Sequence, residues 1–197
     1  MRLSFLILVL AIPVLFTSCW CNSAQNNQKK SEIVEDNLLY TANWKAVTDL
    51  LGSSYSPEKV SVVDSLMAVN FTLKKKEEGE IVFIELVCGL NSNLSTEAGV
   101  VLSYKCETPL VVKLSQSDFG ADGDESYAHY QYVVPASESI STVKLNFSDF
   151  TQPQWTPDGS KGIAMKLENV NAIYLTPDVD VATGGSSLLG VKGLYLW

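Results

Sequence analysis

Arginine is all but missing from this chain: Arg2 is the only one, and lysine supplies every other strong base. Histidine is as scarce, with His129 alone, and cysteine stops at four. The 14 Lys and Arg stand against 22 Asp and Glu, a formal net charge of −8. Such a chain repels phosphate backbones and lacks the guanidinium forks that grip them, which excludes nucleic acid as a partner. One histidine also excludes every site built on two or more, His-rich zinc enzymes among them. What the chain has in quantity is apolar residues, 46%, with four Trp, eight Tyr and seven Phe. Over 197 residues that is enough to bury the core of one domain.

Leu3 to Phe16 is interrupted only by Ser4 and Pro13, and it follows the positive charge of Arg2. The run is shorter than the ~20 residues of a spanning helix. Its basic start and the small residues at its end read as a secretory signal. Phe16-Thr17-Ser18-Cys19 resembles a bacterial lipobox, which implies cleavage before Cys19 and lipidation of that residue. Residues 1–18 are therefore expected to be a lipoprotein signal peptide that directs the protein to the bacterial cell envelope. Residues 19–37, rich in Asn, Gln, Lys and Glu, are expected to be a flexible tether, and 38–197 the folded domain. Cys21 falls in the tether. Cys88 and Cys106 lie in apolar segments, and two readings stay open for them: a disulfide, or two buried thiols.

From residue 38 onward the dominant pattern has period two. Met67, Val69, Phe71 and Leu73 alternate with Ala68, Asn70 and Thr72. The same holds for Val100, Leu102 and Tyr104, for Leu110, Val112 and Leu114, and for Val143, Leu145 and Phe147. Ile81 to Val87 is continuously apolar except at Glu85, as a strand covered on both faces would be. Turn clusters separate these runs, among them Glu77-Glu78-Gly79, Asn91-Ser92-Asn93, Asp122-Gly123-Asp124 and Pro157-Asp158-Gly159. The expected fold is all-β, an antiparallel sandwich of about eight or nine strands. One short helical turn is expected within Asn43–Leu51.

The C-terminal two thirds resembles a known family. Ala98 to Tyr104 with Leu110 to Leu114 is similar to the paired central strands of galactose-binding-domain-like carbohydrate-binding modules. Tyr127 to Pro135 resembles the strand leading to their mid-domain turn. Val143 to Trp155, V-K-L-N-F-S-D-F-T-Q-P-Q-W, resembles their V-x-L-x-F-S-D-F-x-Q-P-x-W segment. Val170 to Leu175 and Gly190 to Leu196 resemble the last two strands. The resemblance implies a jelly-roll β-sandwich that binds polysaccharide or oligosaccharide without cleaving it. Many members hold a structural calcium through an acidic residue of the final strand, where this chain has Lys192-Gly193. No metal or cofactor is expected.

Sugars offer apolar ring faces beside hydroxyls, so a binding face needs an aromatic ring among polar side chains. If Leu102, Leu114 and Leu145 point inward, then Ser103, Lys113 and Asn146 point out. The same alternation puts Tyr127, His129 and Gln131 on the surface; a slip of one residue would expose Tyr130 and Tyr132 instead. Trp155, after Gln152-Pro153, either stacks on a sugar or caps one end of the sandwich, and the family pattern favours the cap. The candidate carbohydrate-binding residues are thus Lys113, Tyr127, His129, Gln131, Tyr132 and Trp155. Asp122 to Glu125 is expected to be a solvated turn rather than a calcium loop. Glu85 has no partner acid of the kind glycoside hydrolysis needs, so no enzyme is expected. The alternative function is an envelope lipoprotein that keeps the sandwich and binds a protein partner.

Overall fold

A computed structural model describes residues 37–179 and 183–197. The expected signal peptide, Cys19, Cys21 and all of the expected tether but Asn37 lie outside the described residues. One helical turn, α1 (Leu38–Thr41), opens the domain. Eleven strands follow: β1 (Asn43–Thr48), β2 (Ser54–Ser56), β3 (Val62–Val63), β4 (Leu66–Leu73), β5 (Ile84–Gly89), β6 (Gly99–Cys106), β7 (Leu110–Gln116), β8 (Tyr130–Val134), β9 (Ser137–Asn146), β10 (Val170–Pro177) and β11 (Gly185–Leu196). Nine have five residues or more, as the alternation predicts; β2 and β3 are short pieces paired to β4.

All pairing is antiparallel, in two sheets of order β1-β5-β10-β7-β8 and β2-β4-β11-β6-β9. The alternating residues meet between them. Leu86, Leu114, Ile173 and Leu175 of the five-stranded sheet face Met67, Leu102, Tyr104 and Val191 of the other, each at most 1% exposed. Full burial of such a side chain contributes roughly 1.5–3 kcal/mol. Bulges at Asn171 in β10 and Lys192 in β11 each insert one residue and reset which side chains face the core.

Several expectations are corrected. Asn43 to Thr48 is strand, because six consecutive positions pair with β5, and its Trp44 and Ala46 pack on the core. The helical turn lies just upstream, where the Asn37 side chain accepts a hydrogen bond from the Leu39 N–H at 3.1 Å and caps it. Asn37, expected in the tether, is only 4% exposed. Its carboxamide also accepts from Leu194 N–H and donates to Tyr195 Oη, binding it to β11. The strand expected from Ile81 begins at Ile84, and the one expected from Tyr127 at Tyr130. Of the two readings for the cysteines, the structure has two buried free thiols, Cys88 in β5 and Cys106 in β6. Burial pushes the Cys88 thiol up to about 12.

Candidate carbohydrate-binding site

The outward residues of the five-stranded sheet follow from its register. β10 presents Ala172, Tyr174 and Thr176, and β7 presents Val111, Lys113 and Ser115. Glu85 and Val87 of β5, Lys45 and Val47 of β1, and Gln131 and Val133 of β8 complete the face. Lys113 Nζ meets Glu85 Oε1 at 2.7 Å, an ion pair that crosses β10, the strand between them.

At one end of this face lies a cavity of ≈ 250 Å³. Ser115 and Tyr174 form its floor, His129 and Tyr127 one side, and the turn Gly120-Ala121-Asp122 a wall. Ser115 Oγ donates to Tyr174 Oη at 3.0 Å, which leaves the tyrosine O–H as a donor of its own. His129 stands edge-on to three rings, Tyr174 at 5.8 Å, Phe119 at 6.0 Å and Tyr127 at 6.4 Å between centroids. These rings leave it 4% exposed, and its Nδ1 is buried without a hydrogen-bond partner. Burial, helped by the nearby Lys113 charge, pulls its pKa down to about 4, so the imidazole is neutral at pH 7. A neutral imidazole offers one donor and one acceptor, the pair a hydroxyl can answer.

The wall is held rigidly. Asp118 accepts from Lys166 Nζ at 2.6 Å, Asn169 Nδ2 at 2.8 Å and Gln116 Nε2 at 3.0 Å, and these bonds hold its carboxyl down at about 2. Its carbonyl accepts the Asp124 N–H at 2.9 Å, so close to Gly123 that a Cβ there would stand 2.1 Å from that oxygen. Asp124 in turn accepts from Ser126 N–H at 3.0 Å and from Ser160 Oγ. The Asp122–Glu125 segment is an exposed turn, as expected, and its Asp122 lines the cavity. No group of three His, Cys, Asp or Glu among the described residues is arranged to hold a metal ion. Tyr127 closes the turn in left-handed backbone, φ 54°, which a bulky side chain adopts at a cost of ~1–3 kcal/mol.

The expected residues scatter around this cavity. Tyr127 and His129 line it, Tyr127 at 56% exposure, but His129 is covered rather than solvent-facing. Lys113 and Gln131 share the outer face, Lys113 tied to Glu85 and Gln131 bridged through its backbone to Thr151. Tyr132 points inward, packed on the core with its ring 5.8 Å from Phe150, so the slipped register is wrong and Tyr132 leaves the candidate set. Trp155 is 60% exposed and so does not cap the core. Its turn follows the Thr151 bridge and is tied to the wall through Ser160. Tyr174 and Ser115 are not among the expected residues; Ile173 and Leu175 face the core, and Tyr174 between them faces out.

A second trough, ≈ 570 Å³, lies on the six-stranded sheet and is lined by Ser54, Ser56, Asn70, Thr72, Ser186 and Glu107 among others. Three of its hydroxyls are engaged: Thr72 with Ser186 at 2.9 Å, and Ser187 donating to the Glu107 carboxylate at 3.3 Å. Its two rings, Tyr55 and Phe71, pack into the core.

No family model matches the chain, and no curated protein matches it. Solved structures do. A family 11 carbohydrate-binding module from Clostridium thermocellum, in complex with a β-1,3-1,4-mixed-linked tetrasaccharide, superposes with TM-score 0.57 at 18% identity, covering 78% of this chain and 88% of that one. The family 11 module of the cellulosomal cellulase Lic26A-Cel5E of the same organism gives TM-score 0.53 at 17% identity, covering 77% and 88%. The chain thus has the jelly-roll β-sandwich fold that family 11 carbohydrate-binding modules share.

Proposed function

We propose that this protein binds carbohydrate without cleaving it, at the cavity formed by Ser115, Tyr127, His129 and Tyr174. The observation that carries the reading is His129. A buried ring nitrogen without a partner is costly, and the residue that carries it lines a cavity flanked by two tyrosines. A shift of the exposed Tyr127 ring would let a sugar hydroxyl satisfy it while a pyranose face packs on the rings. The fold shared with carbohydrate-binding modules supports the same reading. So does Glu85, whose carboxylate is engaged by Lys113 rather than free to work as one of a catalytic pair.

Affinity electrophoresis and titration calorimetry against neutral polysaccharides test this. Retardation is expected, and Tyr174→Ala should abolish it or weaken it about tenfold or more, roughly the 1.4 kcal/mol of one ring contact. Failure of every plant, storage and cell-wall polysaccharide to retard the protein would count against it. The lipobox extends the proposal to an envelope lipoprotein anchored through Cys19. Cys19→Ala should move the protein from the detergent phase to the aqueous phase on phase partition.

A further inference from the structure

Stacking groups are distributed unevenly over the outer face of the five-stranded sheet. Its strands contribute one tyrosine, Tyr174, and the adjoining turn contributes the second, Tyr127; both border the cavity. Past Tyr174 along β10 the Glu85–Lys113 ion pair crosses the sheet at 2.7 Å, with side chains only 15% and 21% exposed. Beyond it the outward residues are aliphatic, Val111 and Val133, with Thr176 between β5 and β7. A chain of several sugars lying along this face would have to cross the ion pair and would then find no ring to stack on. On the opposite side the cavity is closed by Gly120 to Asp122, held by Asp118 and Gly123. Its ≈ 250 Å³ is below the ~300–1,000 Å³ of sites that enclose drug-sized ligands and leaves room for one pyranose unit.

Charge narrows the ligand further. No Lys or Arg is among the residues that line the cavity, Lys113 beside it is already paired with Glu85, and Asp122 adds a carboxylate to the lining. A uronate or sulfated sugar seated in the cavity would meet no cation in its lining.

Resting on the carbohydrate reading above, we infer that the cavity takes a single uncharged sugar unit at the end of a glycan chain, rather than a stretch within it. Neutral His129 and the free O–H of Tyr174 would read hydroxyls of that unit, and the Tyr127 ring would cover it.

The experiment uses the unaltered protein and a length series. Glucose, galactose, mannose, xylose and N-acetylglucosamine are titrated by calorimetry or NMR, each against its β-linked di-, tetra- and hexasaccharide. Affinity per molecule should change by less than about threefold from disaccharide to hexasaccharide, under ~1 kcal/mol. Partial depolymerisation of a bound polysaccharide should raise the protein captured per unit mass in proportion to the new ends. Affinity that climbs about tenfold or more between disaccharide and hexasaccharide, or capture that falls on depolymerisation, overturns the chain-end mode and leaves carbohydrate binding standing. Preference for the matching uronic acids overturns the uncharged class alone. Absence of binding to every glycan of the series and to the polymers overturns the carbohydrate reading itself, and this inference with it.

Discussion

The two outer faces of the sandwich are built from similar residues and end in opposite states. On the six-stranded sheet two polar pairs close on each other across strands: Thr72 with Ser186, and Ser103 with Thr142 at 2.8 Å. Its rings are occupied too. Tyr195 lies over Gly193 and accepts from Asn37, and Trp197 carries the Lys144 ammonium 3.2 Å from its centroid. On the five-stranded sheet His129 Nδ1 and Thr176 Oγ1 are buried without partners, and Tyr127 is held in strained backbone. One face is finished by folding and the other is left incomplete. Unmet hydrogen bonds and strain cost stability, and they persist where a ligand completes them. The comparison also teaches that cavity size is a poor guide here, since the larger trough lies on the finished face.

The strongest test of the contrast is acid. His129 has an ordinary value near 6.5 in the unfolded chain and about 4 in the fold. Because the fold favours the neutral ring, that stability is fully present above pH 6.5 and is lost as pH falls toward 4. The loss is on the order of 3 kcal/mol. Urea unfolding midpoints across that window should fall steeply, and His129→Leu should flatten the slope. A midpoint that stays level from pH 6.5 to 4 would mean that His129 is solvated and the face complete.

Asp118 comes next, because it holds the wall of the cavity. Its carboxyl sits at about 2 against 3.8 in its ordinary setting. A depressed carboxyl stabilises the fold above pH 3.8, and this contribution disappears as pH falls through 2. Lys166, its main partner, is 45% exposed, so solvent screening reduces the contribution to about 1 kcal/mol. Asp118→Asn should cost about that much at pH 7 and nothing measurable at pH 2, and it should weaken glycan binding as the wall loosens. The finished face offers the control. Thr72→Val with Ser186→Ala removes an exposed hydrogen bond worth ~0.5 kcal/mol, and glycan retardation should not change. A large loss of binding from that pair would transfer the site to the wrong sheet.

Much of the sandwich was legible in the sequence because a period of two states which residues share a face. The alternation of Leu110, Val112 and Leu114 with Lys113 and Ser115 settles β7 completely. It also marks Tyr130 and Tyr132 as inward once Gln131 is outward. Alternation does not report what lies above a face. His129 is on the outward side and yet buried, because Phe119 and Tyr127 from a preceding loop cover it. Asn43 to Thr48 shows another blind spot. Pairing with β5, some forty residues later in the chain, decides its conformation over any local helical preference. The left-handed turn at Tyr127 had no signal either, since glycine or asparagine is what such backbone usually selects.

That turn supplies the smallest stability effect and the sharpest separation of folding from binding. Tyr127 is 56% exposed, so little of its ring is committed to packing. Tyr127→Gly should relieve ~1–2 kcal/mol of backbone strain, set against ~0.5–1 kcal/mol for the freer unfolded chain. Net stability should therefore stay within about 1 kcal/mol of the parent, on the stabilising side, while glycan affinity drops about tenfold with the lost ring contact. Tyr127→Ala keeps the strained φ and also loses the ring, so it should bind as weakly as the glycine variant and be less stable. A glycine variant destabilised by more than about 2 kcal/mol would mean that the ring holds the turn, in which case the strain would serve the fold rather than the ligand.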